Sequence, residues 1–217
     1  MTTVRTLILP LTLALAAAGA VTDTHAQSSA TASQSLVATV QKLADENAIR
    51  NLIYHYGRGN DEVAIHYADR PLARQRGAAE YAKAFAPDVK IEVFALGGEK
   101  PIGEVTGIPA WTEFADKYYA SNGYSSTLHL MSNFEIVFDG SNRANVSAYA
   151  LAPHFFVRTA AKDTARADTA VEWMIARYAY RAERQRDGSW KIVRLQINLE
   201  EISRAAGFFP GGQRNGR

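Results

Sequence analysis

The sequence predicts an α+β fold, a cone-shaped barrel in which a curved antiparallel sheet wraps around N-terminal helices. Three observations predict it. Helix-period apolar spacing is confined to the part of the chain up to Gly123. Four long runs rich in β-branched and aromatic residues follow it. Asp139-Gly140 and Asp187-Gly188 supply hairpin turn dipeptides between neighbouring runs. Helices first and an antiparallel meander afterwards is the pattern of a segregated α+β domain.

Residues 1–26 read as a signal peptide. Arg5 gives a short positive start, Leu7 to Ala20 is an apolar run, and Thr24-His25-Ala26 puts small residues at a cleavage site before Gln27. The expectation is a periplasmic or secreted protein with no membrane span after cleavage. Residues 27–35, including the polar "SSATASQS", are expected to be a disordered linker, and residues 206–217, ending in "GGQRNGR", a flexible tail. The domain proper is assigned to residues 36–205.

Within it, Ser35 is placed to cap a helix carrying Val40, Leu43, Ile49, Leu52, Ile53 and Tyr56 on one face, as one helix or two joined near Asp45. Gly57 and Gly59 loosen its end. "EVAIHYADRPLARQRG" reads as a charged connection, with Pro71 breaking any helix through it. "AAEYAKAF" is a short helix stopped by Pro87, "VKIEVFAL" alternates like a strand, and "PAWTEFADKYYASNG" is a helix started by Pro109 and ended by Gly123. "SSTLHLMSNFEIVF", "ANVSAYALAPHFFVR", "AVEWMIARYAYRAERQR" and "SWKIVRLQINL" are the four long strands.

Composition narrows the chemistry. The chain has 217 residues, 47% hydrophobic and 21% charged, enough for one domain with a core. It has no cysteine, which excludes thiol and thiolate-metal chemistry and leaves packing alone to stabilise an exported chain. Net charge is +2, and the basic residues are scattered rather than striped, which argues against nucleic acid as a partner.

Two of the histidines lie in long strands, His129 in "STLHLMSN" and His154 in "YALAPHFFVR". A hairpin turning at Asp139-Gly140 would bring them to one face of the sheet. Asp61, in "GRGND", is the acidic residue placed to meet them from the helical side. An imidazole beside a carboxylate is a general base with an orienting partner. The carboxylate raises the histidine pKa while burial lowers it, so the pair is expected to titrate near neutrality. Taken alone, His154 would read as a hydrogen-bonded core residue. The same three side chains could also form a facial metal triad, but the expectation is no metal and no cofactor. His55 and His66 read as surface or packing residues.

Here "AIRNLIYHYGRGND", "FAPDVKIEV", "TLHLMSNFEIVFDG" and "YRAERQRDGSWKIVRLQINL" resemble the SnoaL-like group of the nuclear-transport-factor-two-like superfamily. Within that group they are similar to the scytalone dehydratase branch. The resemblance implies Asp61, His129 and His154 as catalytic residues, cofactor-independent elimination chemistry, and a homo-oligomer, a trimer rather than a dimer. Asn60 stands where that branch has a tyrosine, Val93 near its second tyrosine, and Arg177 and Ala179 near its serine and asparagine. These departures imply a different substrate.

The expected ligand is a small hydroxylated aromatic compound, for which a lignin-derived diaryl diol is the example drawn from analogy. The substrate-binding set is Tyr54, Asn60, Tyr118, Asn133 and Arg177. Tyr119 and Tyr124 are further rings able to stack or simply to pack. Arg177 either binds a substrate oxygen, pairs with Asp61 or Glu172, or faces solvent. The competing functions are a ketosteroid-type isomerase and a non-catalytic periplasmic protein that binds a hydrophobic ligand. The last requires the Asp61–histidine pair to be absent or solvent-facing.

Overall fold

The computed structural model of the chain describes residues 16–156 and 171–205, with the side chains of 32–156 and 171–203. The first part of the expected signal peptide and the C-terminal "GGQRNGR" lie outside these residues. The chain divides into two compact units, Met1–Ala44 and Asp45–Arg217. Helix α1 (Ala16–Ile65) begins in the first unit and ends in the second.

In the first unit the helix runs through Ser28–Ser35, so Ser35 is not the helix cap expected from the sequence. Ser35 sits inside the helix, where its carbonyl accepts the Thr39 hydroxyl at 2.9 Å. Leu36, Val37, Val40 and Leu43 are exposed there. Among the described residues no helix is long and apolar enough to cross a membrane.

The second unit holds the core. Ile49, Leu52, Ile53, Tyr56, Asn60, Val63 and Ala64 form one buried stripe on α1 at three- and four-residue spacing. Gly57 and Gly59 do not end the helix; they let other side chains approach its backbone. A Cβ on Gly59 would stand 2.3 Å from a Tyr81 ring carbon, and one on Gly57 would stand 2.9 Å from the His129 Cβ. Helix α2 (Arg70–Ala84) crosses α1 at the same place, where a Cβ on Gly77 would lie 2.3 Å from a Val63 methyl.

Pro71 starts α2 instead of breaking it. A proline in the first turn loses no hydrogen bond, and the Asp69 side chain caps the helix by accepting the Leu72 N–H at 3.1 Å. Replacing Gly59 by Ala is expected to displace Tyr81 and to cost about 1–3 kcal/mol, the usual range for overpacking, despite the better helix propensity of alanine. Urea unfolding would show the loss, and an unchanged midpoint would mean that the close crossing is not needed.

Strand β1 (Phe85–Phe94) is followed by β2 (Pro101–Thr106), then α3 (Ile108–Asn122). The β2 segment was not expected, because "PIGEVT" is short, mostly exposed and opens on proline, which suits only an edge. As expected, α3 has Pro109 in its first turn and ends on Gly123, whose φ of 73° is the left-handed conformation a C-terminal cap requires.

The run expected as one strand after α3 is two, β3 (Tyr124–Thr127) and β4 (Leu130–Phe138), both antiparallel to β5 (Arg143–Phe156). Strands β6 (Val171–Arg184) and β7 (Trp190–Ala205) complete the meander. The sheet order is β2-β1-β7-β6-β5-β3, with β4 also on β5. All pairings are antiparallel except β1 with β7, which is parallel, so the curled sheet is mixed rather than purely antiparallel.

One face of this sheet packs on the helices of the same unit. Tyr178, Tyr180, Ile192, Leu195 and Ile197 lie in the core, and the Tyr180 hydroxyl donates to the Ile49 carbonyl at 3.1 Å. The other face carries exposed Leu130, Tyr149, Leu151 and Ile175.

Candidate active site

The break between β3 and β4 builds the site. His129 falls in it, and its backbone N–H points to Asp61 Oδ2 at 3.3 Å instead of joining the sheet ladder. Its ring Nδ1–H donates to Asp61 Oδ1 at 2.7 Å, and the Thr127 hydroxyl donates to that same oxygen at 2.8 Å. Three donors from one short stretch therefore converge on one carboxylate.

On the other side of the ring, the Asn60 amide donates from Nδ2 to His129 Nε2 at 3.3 Å, while Asn60 Oδ1 accepts the Tyr81 hydroxyl. The chain Tyr81–Asn60–His129–Asp61–Thr127 is directional. Each donor finds an acceptor only if neutral His129 carries its proton on Nδ1 and its lone pair on Nε2.

His154 is held differently. Its Nδ1–H donates to the Ala152 carbonyl at 2.8 Å, which again leaves the lone pair on Nε2. The residue is 1% exposed, and burial, followed by the neighbouring His129, pushes its pKa down to about 4. The expectation of titration near neutrality is therefore corrected for His154, where desolvation wins over the attraction of Glu172 and Asp61. The two imidazoles lie 6.0 Å apart, edge to face.

Aromatic side chains enclose the pair. Tyr56 lies against His129 at 6.1 Å, and Tyr178 and Trp111 in turn lie 5.6 and 5.9 Å from the Tyr56 ring. Tyr124 and Tyr119 lie 4.7 and 5.9 Å from His154. Burial pushes the Tyr56 hydroxyl up to about 12 and those of Tyr81, Tyr119, Tyr124 and Tyr178 further above their ordinary value. All five remain neutral hydrogen-bonding groups at physiological pH.

Of the residues expected from sequence, Asp61, His129, His154 and Asn60 come together, and Tyr118 stands 6.0 Å from Tyr124 at the edge of the group. Asp61 orients His129, however, and not His154. Three others lie apart from this group. Tyr54 is 39% exposed and packs edge-on against Phe134. Asn133 is exposed at a bulge in β4, with a φ of 53°. Arg177 lies on the outer face of β6, paired with Glu200 at 3.1 Å and resting over Tyr149.

Sequence reasoning missed Tyr56, Tyr81, Tyr178, Thr127 and Trp111. The shared parity of Tyr178 and Tyr180 in "RYAYR", and the one-turn step from Tyr56 to Asn60, are the signals that could have found two of them.

Among the described residues no three histidine or acidic side chains converge as metal ligands. An open groove of about 460 Å³ lies elsewhere, bordered by Glu135, Asn145, Ser147, Arg181 and Arg194. It contains none of the cluster, and Arg194 there is already paired with Glu92 at 2.8 Å. The buried group, with its oriented ring nitrogens, has the stronger claim to chemistry.

A family described as "SnoaL-like domain" matches residues 41–196. A comparison with curated proteins gives no match. Among solved structures, a protein from Novosphingobium aromaticivorans DSM 12444, provisionally described as a scytalone dehydratase, aligns with a TM-score of 0.56 and 19% identity, covering 77% of this chain and 91% of its own. The type 3 hexachlorocyclohexane dehydrochlorinase of Novosphingobium barchaimii LL02 aligns at 0.56 and 19% identity, covering 78% and 96%. ActVI-ORFA from Streptomyces coelicolor aligns at 0.51 and 11% identity, covering 72% and 98%. These likenesses show a shared α+β fold.

Proposed function

The chain belongs to the SnoaL-like domain family, and from that premise we propose that it is a cofactor-independent lyase that dehydrates a small hydroxylated aromatic compound. The observation that carries this reading is the His129–Asp61 contact at 2.7 Å inside an aromatic enclosure. A ligand-binding protein has no need of a buried imidazole whose tautomer is set by a carboxylate. The dehydratase and dehydrochlorinase descriptions of the structural neighbours name eliminations and support the same class.

His129 Nε2 takes a proton from the carbon next to the carbinol carbon. The C–H electrons form the double bond, the C–O bond breaks, and the proton on His129 passes to the departing hydroxide to make water. Asp61 stabilises the imidazolium formed between these steps, and the ring ends neutral. His154, neutral at working pH, cannot supply that proton. Its Nε2 instead accepts the hydrogen bond of the departing hydroxyl and aims the oxygen at His129. Both rings are buried, so a substrate reaches them only when the aromatic walls part.

A para-hydroxyl on the substrate ring would let the C–O bond break first: the phenol gives up its proton, the hydroxide leaves as water, and a quinone methide remains. Loss of the O–H proton from a neighbouring CH₂OH group then breaks the C–C bond to release formaldehyde, and the electron pair forms the alkene and restores the aromatic ring as a phenolate, which takes up a proton. A lignin-derived diaryl diol fits both routes, and the proposal extends to an exported homotrimer acting on such compounds outside the cytoplasm. Incubation of the purified protein with para-hydroxylated diaryl diols is expected to yield alkenes lacking water, or water and formaldehyde, by mass spectrometry. No product from any diol would sink the proposal, and loss of activity with a chelator would sink its cofactor-independent form.

A further inference from the structure

Tyr81 enters the site from α2 and is fully buried, as is Asn60, which is 1% exposed. The Tyr81 ring stacks on Phe85 at 5.9 Å and stands edge-on to Trp111 at 6.4 Å. It fills the space beside Gly59 so closely that one added methyl would collide with it. The ring is therefore held in place, and its hydroxyl donates to Asn60 Oδ1. The same amide meets His129 Nε2 through Nδ2 at 3.3 Å.

The two ends of an amide are similar in size but opposite in hydrogen bonding, since the nitrogen donates and the oxygen accepts. With its nitrogen toward His129, the Asn60 amide matches a ring nitrogen that holds a lone pair. Turned over, it would offer its oxygen, which matches only an Nε2–H. Asp61 already takes the proton on Nδ1, so such a ring is an imidazolium and no base. Asn60 by itself fits both states, and Tyr81 separates them. A phenol has one proton to give, and here it goes to Asn60 Oδ1. With the amide turned over, that proton would face an NH₂ group instead, and a buried donor without an acceptor is costly. From this juxtaposition we propose that Tyr81 is a positioning residue for His129: by donating to Asn60 it keeps the amide nitrogen toward the ring, which stays unprotonated on Nε2. The inference rests on the lyase reading for its purpose, because only a base needs that lone pair, but not for its test.

The test follows the ring resonances of His129 against pH by NMR, in the full chain without ligand. Tyr81→Phe keeps the ring and loses only the hydroxyl. It is expected to raise the midpoint by about 0.5–1 pH unit, the worth of one ordinary hydrogen bond. Gly59→Ala, whose methyl displaces Tyr81 without altering a polar group, should move the midpoint the same way. It provides a reading even if Tyr81→Phe does not fold. In an Asn60→Leu background, Tyr81→Phe should no longer move the midpoint, because the amide through which it acts is gone. Asp61 and Tyr56 on α1, His154 on β5 and, through Tyr56, Tyr178 on β6 are the other titratable groups beside the ring, and none of them is altered. On an accepted diol, the acidic limb of kcat should rise with the midpoint while KM stays the same. An unmoved or lowered midpoint in either variant, or an equal shift with and without the Asn60 amide, would overturn the assignment. Because the midpoint is read without turnover, a failed diol assay and an unmoved midpoint point to different errors.

Discussion

Replacing His129 by glutamine is expected to lower kcat on an accepted diol by about 10²–10⁴, the range for a positioned general acid–base group. Glutamine can still donate to Asp61, so the β3–β4 break and the fold should persist. Asp61→Asn should cost less than His129→Gln, because the ring nitrogen that takes the proton remains while its imidazolium loses the 2.7 Å carboxylate. Asn60→Asp should alter the pH profile rather than simply lower the plateau, since it replaces the donor to His129 Nε2 with a carboxylate. Single-turnover kinetics, with circular dichroism to confirm folding, would decide the matter. Activity within tenfold of the original in His129→Gln would remove His129 from the mechanism.

The second large effect is on stability, and it comes from His154. Its pKa in the folded protein is about 4 against an ordinary 6.5, because burial disfavours the charged ring. Between those values the unfolded chain binds a proton that the folded chain does not, so stability falls as pH drops through that window and is fully present above it. At pH 4.5 the loss from this one group amounts to about 2–3 kcal/mol, from about 1.4 kcal/mol per pKa unit. His154→Gln keeps a donor for the Ala152 carbonyl but does not titrate. Urea unfolding at pH 7 and pH 4.5 should therefore show a smaller acid-side loss in His154→Gln than in the unaltered protein. An identical loss in both would mean that His154 is not buried as a neutral ring. The same substitution should depress turnover by removing the acceptor for the departing hydroxyl.

Much of the architecture was legible because it is written locally. The buried stripe of α1, the Pro109 start and Gly123 stop of α3, and the Asp-Gly turns each depend on residues within a few positions of one another. Pro71 misled because one residue type serves two local roles. It breaks a helix interior but opens a first turn, and the Asp69 cap decides between them. Gly57 and Gly59 misled because their purpose lies in partners far along the chain. They make room for His129 and Tyr81, not for a helix end.

The sequence by itself determined the α+β class with helices before the long strands, the family, and the identity of Asp61, His129 and His154 as the group to watch. Only the tertiary structure decided which face each strand residue occupies and which acid meets which base. Alternation gives a strand two faces but does not say which is inside, so Arg177 could be placed outward and Glu172 inward only once β6 was laid against β5 and the helices. Bulges then shift that parity, as at Asn133. The break at His129 exists because a carboxylate 68 residues earlier draws its N–H out of the ladder. Hydrogen bonds between residues so far apart leave no local periodicity to read, and these bonds turn two histidines and an aspartate into a directed dyad beside a neutral ring.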